Sequence, residues 1–348
     1  MIFLILAIFI LCLFGLKTAG SGGAYFEDYI SRDRTLAVKG LFTLLIFVSH
    51  FSGYVQYSGA YDAAYKTFQG WMGQLVVAMF LFYSGYGMME SASRKGAAYI
   101  RTIPGHRVLK VLVHFDIAVL LFWLTQTLLG QSYDGRTIIL SLLGWDAIGN
   151  SNWYIFDILW AYIITWLSFA LLKDRRTAAL IAVTVLSAAF ALAMHAFKQS
   201  HWYDTFFCYA AGMWYSYYKT DVEKRITQGG YAYFRSFVLL AVFYLLCRRL
   251  HGAPEFAMLA APAFSLLFTV GTMKVRVDNP VLRWYGDHLF EVYMLQRIPM
   301  IVFGKLGIFG NKYVYCAACF IAATALAWAF KKILTLFDRL TFDRPARI

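Results

Sequence analysis

Two side chains in one apolar run have types and spacing suited to chemistry: Lys39 and His50, within Arg34-Thr-Leu-Ala-Val-Lys39-Gly-Leu-Phe-Thr-Leu-Leu-Ile-Phe-Val-Ser-His50. An imidazole can take a proton from a hydroxyl or carry a transferred group, and an ammonium can hold an anion. Their separation of eleven residues returns to nearly the same helix face, about 16 Å further along the axis. The two groups are therefore expected to face one channel at different depths. Helices keep ionisable groups in hydrocarbon only where they face protein or water, since each costs a few kcal/mol against lipid. His50 is thus a candidate site, whereas a lysine at a helix end also arises by chance.

The elements that would position these groups follow from composition. The chain has 348 residues, 60% of them hydrophobic and 15% charged, with a mean hydropathy of +0.58 and 31 Phe, 24 Tyr and 10 Trp. That is far outside the soluble range and implies an all-α, polytopic membrane bundle. Apolar segments near 1–17, 36–55, 71–90, 107–129, 153–172, 178–197, 203–218, 233–250, 256–273, 288–308 and 313–332 approach the length that crosses a bilayer. The expectation is about eleven transmembrane helices: a ten-helix core and one added N-terminal helix. Residues 1–31 read as an anchor and a polar linker with Gly20, Gly22 and Gly23, 32–335 as the main domain, and 336–348 as a tail. The first segment lacks a basic start and a small-residue cleavage site, so it reads as a retained anchor rather than a signal peptide.

The formal charge of +13 is read as topology rather than as nucleic-acid binding, because basic loops gather on the cytoplasmic side and meet anionic headgroups. Alternate connections hold 24 Lys and Arg on one side and 7 on the other, with Arg297 inside a span. The positive-inside rule then puts the N-terminus outside and the C-terminus in the cytoplasm of a cell-membrane protein. Lys39 falls near the cytoplasmic face and His50 beyond mid-membrane. Arg248-Arg249 is the one pair against this orientation. Five cysteines lie in apolar segments. Cys316-x-x-Cys319 has the spacing of a redox or metal pair but lacks partner ligands and reads as helix packing.

Several motifs lie along the chain in order, and each also has a plain structural reading. Phe80-Leu-Phe-Tyr-Ser84-Gly85-Tyr86 offers small residues for close helix approach. The loop Arg94 to Lys110 is strongly basic and contains Arg101 and Arg107-Val-Leu-Lys110. His114 and Asp116 follow in the same helix, where they extend a polar path or pair with neighbours. Asn152-Trp153-Tyr154-Ile-Phe-Asp157 opens another span, and Asp157 there wants a partner; it could orient His50. His195 reads as an interfacial residue near a helix end. Phe206-Phe-Cys-Tyr-Ala-Ala-Gly212-Met213 is a landmark, and Gly286-Asp-His-Leu289-Phe-Glu291-Val-Tyr293-Met-Leu-Gln296 comes next, with Glu291 and Arg297 as a possible buried pair.

Lys39-Gly40 to His50, a basic residue, ten residues and a histidine, resembles the first-helix signature of the membrane acyltransferase-3 family. The later segments resemble that family's Phe-Phe-x-x-Ser-Gly-Phe, Arg-x-x-Arg, Trp-Phe, Phe-x-x-Gly-Met and Gly-x-x-Ser-Phe-Glu-Ile-Tyr-Leu-x-His elements, in the same order over roughly 32–335. Lys110 replaces the second Arg, Leu289 the Ser and Gln296 the second His, and an amide does not titrate. The resemblance implies transfer of an acyl group, usually acetyl, from cytoplasmic acyl-CoA to a hydroxyl of a surface or exported polysaccharide. It implies His50 as base or acyl carrier with Lys39 and Asp157, and Arg101, Arg107 and Lys110 as coenzyme-binding cations. It implies Ser84, Trp153, Glu291 and Gln296 as lining, and no metal.

Two other classes compete with this reading. A transporter or flippase of lipid-linked glycans could use the same intramembrane polar groups, and broken helices or an internal repeat would favour it. Neither is clear in the sequence. A structural scaffold would leave His50, Asp157 and Glu291 without a reason.

Overall fold

The computed structural model describes residues 1–20, 24–250 and 252–342. The linker residues Gly22 and Gly23 and the tail residues Arg344 and Arg347 lie outside the described residues. Within them the chain is a bundle of helices: α1 Ile2–Leu13, α2 Arg32–Phe51, α3 Ala60–Met72, α4 Leu75–Lys95, α5 Ala97–Ile103, α6 Lys110–Leu128, α7 Gly135–Leu142, α8 Trp153–Leu172, α9 Arg176–Phe197, α10 Phe207–Tyr217, α11 Lys219–Ile226, α12 Gly230–Arg249, α13 Pro254–Thr272, α14 Pro280–Asp287, α15 Leu289–Leu295, α16 Arg297–Leu306 and α17 Lys312–Thr341. Apolar sequence drives them into one another or into lipid, and polar caps set several starts. Ser31 accepts from the Arg34 N–H, Asp134 from Thr137, Asn279 from Leu282 and Asn311 from Tyr313, each satisfying an N–H that has no partner inside its helix.

Among the described residues, eight helical stretches are long and apolar enough to cross a membrane. The other three of the eleven expected segments fold into shorter pieces, so length and composition do not identify them as single-helix spans. Residues 1–17 give the twelve-residue α1, and 203–218 give the eleven-residue α10. The segment 288–308 is interrupted at His288 and again at Gln296, so that α14, α15 and α16 follow one another as a broken helix. Hydropathy counts apolar residues and cannot see such breaks, which membrane proteins tolerate where the freed backbone is buried in protein. The segment expected as a linker is tied in as well: β1 Leu16–Thr18 pairs antiparallel with β2 Val275–Val277, Lys17 opposite Arg276. The tail is partly helical, since α17 continues to Thr341.

Two crossings at glycine fix the scaffold. A Cβ added to Gly40 would lie 1.8 Å from the Leu282 carbonyl oxygen, and one on Gly286 would lie 1.9 Å from that of Leu36. The same reciprocity joins α4 and α10: Gly85 meets the Tyr209 carbonyl at 1.9 Å and Gly212 that of Phe82 at 2.0 Å. Backbone therefore touches backbone at both places, the small-residue packing that membrane helices use in place of a hydrophobic drive. Gly85 has the close-packing role its motif offers.

Three arginines at the Lys39 end of the bundle are paired. Arg34 bridges Asp28 and Asp278 at 2.5 and 2.7 Å, Arg276 joins Asp28, and Arg283 joins Asp278 at 2.5 Å. Arg248, the exception to the charge count at the His50 end, donates to the carbonyls of Gly70 and, at 3.0 Å, Trp71. It thereby satisfies carbonyls of the last turn of α3, a place that favours a cation. The five cysteines are all buried as free thiols.

Candidate active site

His50 occupies the last turn of α2, and its neighbours come from the broken helix. Gln296, fully buried at the α15–α16 break, places its amide nitrogen 3.0 Å from His50 Nδ1. The ring also faces Tyr293 at 5.9 Å between centroids, and Tyr293 in turn meets Tyr154 at 5.5 Å. The open side of His50 borders a cavity of about 260 Å³ whose polar lining is Ser49, Gln74, Trp153, His201 and Tyr293. Trp153 packs its edge against His201 at 5.8 Å. Burial, and then the charge of Lys198, hold His201 below the usual histidine range.

The polar atoms near His50 are under-satisfied. Both Asp157 carboxyl oxygens, the Tyr293 hydroxyl, Ser151 Oγ, Asn150 Nδ2 and Gln296 Oε1 are buried with no hydrogen-bond partner among the described residues. Buried polar groups are normally paired, so a concentration of exceptions calls for a physical explanation, of which a catalytic or binding role is one. Asp157 is wholly buried and pairs with no cation. The expected partner of His50 is therefore not the one found: the Nδ1 position is held by Gln296, while Asp157 lies one helical turn beyond Tyr154 on α8.

Lys39 and His50 lie eleven residues apart on α2, which places them near one helix face. The His50 cavity reaches along α2 only to Ile46, and the Phe42 and Phe80 rings meet at 6.4 Å one turn from Lys39. The ammonium lies 5.8 Å from the centre of the Tyr83 ring, with no ion-pair partner among the described residues. A different polar line runs along α8, where Tyr154, Asp157, Tyr162 and Thr165 recur at helical spacing. Tyr162 meets Ser84 Oγ at 2.9 Å and Thr165 meets the Tyr209 hydroxyl at 2.8 Å. Arg107 lies within electrostatic reach of the Tyr99, Tyr162 and Tyr209 hydroxyls. It belongs to the wider π-type turns Pro104–Leu109 between α5 and α6, a local unwinding often found at functional sites.

The other expected residues are distributed around this line. Arg101 and Arg107 are exposed, whereas Lys110 is paired with Asp338 at 2.8 Å and His114 joins the same carboxylate at 2.8 Å. Glu291 is buried, with Oε2 unpartnered. The anticipated Glu291–Arg297 pair does not form: six residues apart on a helical path puts them on different sides, and Arg297 donates to the Tyr54 hydroxyl at 3.0 Å and the Asn150 carbonyl at 3.4 Å. His195 meets the Tyr203 hydroxyl at 2.8 Å. His201 and Gln74, which line the His50 cavity, and Tyr162, which meets Ser84, are the residues that sequence reading missed. The signal for His201 was present, an imidazole in an aromatic connection at the same end as His50.

The family whose model matches this sequence is described as an acyltransferase domain, the acyltransferase-3 family, and the match covers residues 37–332. No match is found among proteins of curated function or among solved structures.

Proposed function

The chain belongs to the acyltransferase-3 family, and from that premise we propose that it transfers an acyl group, acetyl in the usual case, from cytoplasmic acyl-CoA to a hydroxyl of a surface or exported polysaccharide. The observation that carries this reading is the half-open imidazole: His50 is anchored at Nδ1 by Gln296 and otherwise borders a cavity. Positive charge concentrates at the Lys39 end, which the positive-inside rule assigns to the cytoplasm of the cell membrane together with the C-terminus. Arg107, with Arg101 nearby, would meet the coenzyme phosphates there. Lys110 is already committed to Asp338 and would act on the coenzyme only by exchanging that partner. The thioester would then follow the α8 line past Ser84, Tyr162 and Asp157 rather than a shaft beginning at Lys39.

At His50 two balanced routes share the same parts. As general base, Nε2 takes the acceptor hydroxyl proton while the oxygen forms the new C–O bond, the C–S bond breaks, and the proton passes to the departing thiolate. As acyl carrier, the ring nitrogen first forms a C–N bond as C–S breaks and the thiolate departs; the acceptor oxygen then forms the C–O bond as C–N breaks, and its proton passes to the thiolate, leaving the imidazole neutral. Both need Nε2 free of its proton, so Nδ1 must carry it. The Gln296 amide can serve either tautomer, its nitrogen donating to a bare Nδ1 or its oxygen accepting from Nδ1–H. Trp153, Tyr293 and His201 would border the acceptor.

The broken helix α14–α16 favours a second reading, movement of a lipid-linked glycan through the bundle. One experiment separates the two. In the native host, His50→Ala should leave the amount of surface glycan unchanged and remove its O-acetyl signals from the NMR spectrum. Equal O-acetyl signal in both strains would defeat acyl transfer centred on His50, and a shortage of unmodified glycan at the surface would favour transport.

A further inference from the structure

Beside the His50 cavity lies a second cavity, of about 380 Å³, at the same end of the bundle. The two share a wall. Gly73 and Gln74 line both, and Ser200 faces the second while its neighbour His201 faces the first. Gly73, at φ +40°, ends α3 and turns the chain straight into α4, so this wall is a single stretch of backbone rather than a packed layer. On the far side, Ala257, Ala260 and Ala261 of α13 keep the space open with small side chains.

Two polar groups lining this space have needs that the fold does not meet. Thr205 is 1% exposed and its hydroxyl has no hydrogen-bond partner among the described residues; neither has the buried Asp204 Oδ1, although the carboxyl group receives one hydrogen bond from Ser200. An apolar occupant would leave both unsatisfied, at a cost of roughly 1–3 kcal/mol each. Arg248 also lines this space, but its guanidinium is engaged by the Gly70 and Trp71 carbonyls, so an anion would still meet the Asp204 carboxylate. A ligand rich in hydroxyls meets both demands, since each O–H can donate to Asp204 or Thr205 and each oxygen can accept from Thr205.

Resting on the acyl-transfer reading above, we infer that the cavity lined by Gln74, Ser200, Asp204 and Thr205 is the acceptor subsite, which holds an uncharged, hydroxyl-rich sugar unit next to the one that reaches His50 across Gly73–Gln74. The subsite sets which hydroxyl arrives at the imidazole. It does no proton transfer itself, so Asp204 and Thr205 are positioning residues.

The test uses the double variant Asp204→Asn/Thr205→Val in the full chain, purified into lipid nanodiscs free of sugar detergents. The Asn side chain keeps an oxygen that can accept from Ser200, and Val removes only a hydroxyl with no partner among the described residues, so the double variant costs the fold little. The probe is O-deacetylated surface polysaccharide from the native host, with acetyl-CoA as donor. The expected result is a KM for polysaccharide raised at least tenfold, with the KM for acetyl-CoA unchanged. Saturation-transfer NMR of the same polysaccharide should show binding to His50→Ala and lose it in the double variant. Unchanged polysaccharide KM in a variant that still transfers acetyl would overturn the subsite and leave acyl transfer standing. Polysaccharide binding without any acetyl transfer by the wild type would overturn the acyl-transfer reading, while the NMR comparison still decides whether Asp204 and Thr205 hold the sugar.

Discussion

The glycine crossings and the chamber around His50 treat buried atoms in opposite ways. At Gly40, Gly85, Gly212 and Gly286 there is no room for even a methyl group, and helix backbones meet directly. Around His50 the side chains of Asp157, Ser151, Asn150, Tyr293 and Gln296 keep buried polar atoms that have no hydrogen-bond partner among the described residues. Each such atom costs roughly 1–3 kcal/mol. A bundle holding several together must have helices that cannot slide to relieve them. The crossings supply that: α2, which carries His50, is locked to α14, and α4, which carries Ser84, is locked to α10. The comparison teaches that rigidity is placed in the helix middles so that polar demand can persist at the site.

The sharpest way to break this comparison is Gly85→Val. The added carbons would enter the Tyr209 carbonyl, a backbone atom that cannot rotate away, so the loss should exceed the ~1–3 kcal/mol typical of overpacking. Fluorescence-detected size exclusion should show little folded protein; a wild-type elution profile would mean the crossing is not structural. A smaller effect is expected at the opposite end, where Arg107→Ala should weaken acetyl-CoA binding roughly tenfold, about 1.4 kcal/mol, without lowering expression. Isothermal titration in nanodiscs measures it, and unchanged affinity would return the basic loop to setting topology alone.

The smallest effect contrasts the unsatisfied chamber with the satisfied cluster at the Lys39 end. Arg283 above all, helped by Arg34 and Arg276, holds the Asp278 carboxyl below the usual carboxylate range, and Arg34 does the same for Asp28. A carboxylate whose folded pKa is lowered contributes stability that is present above its unfolded value near 4 and lost as pH falls through the folded value. Asp278→Asn should therefore be less stable than wild type by about 1 kcal/mol or less at neutral pH. That gap should close below about pH 4 in thermal unfolding. A gap constant with pH would show that the cluster does not contribute through its charge.

Much of the architecture could be read from composition and periodicity. The spans 153–172, 178–197 and 233–250 lie within a few residues of α8, α9 and α12, because long apolar runs with basic flanks have few other ways to satisfy their backbone. The fate of 1–17, 203–218 and 288–308 was not readable, since breaks at His288 and Gln296 depend on what packs against them. At the site, Lys39 and His50 were found from spacing within one helix. The Asp157–His50 and Glu291–Arg297 pairings were mistaken for the complementary reason: contacts between elements depend on how helices rotate and cross.

The sequence by itself determined that this is an α-helical membrane protein with an imidazole and an ammonium on one helix face, and the order of its motifs pointed to acyl transfer. The first conclusion rests on local periodicity and on the cost of polar groups in lipid, both properties of a segment alone; the second rests on the resemblance of those motifs to the acyltransferase-3 family. Only the tertiary structure decided that Gln296 holds His50, that Phe42 packs against Phe80, that the polar line follows α8, and that Asp204 and Thr205 line a neighbouring cavity. Each of these depends on atoms brought together from distant parts of the chain, and their positions are set by where glycines let helix backbones touch.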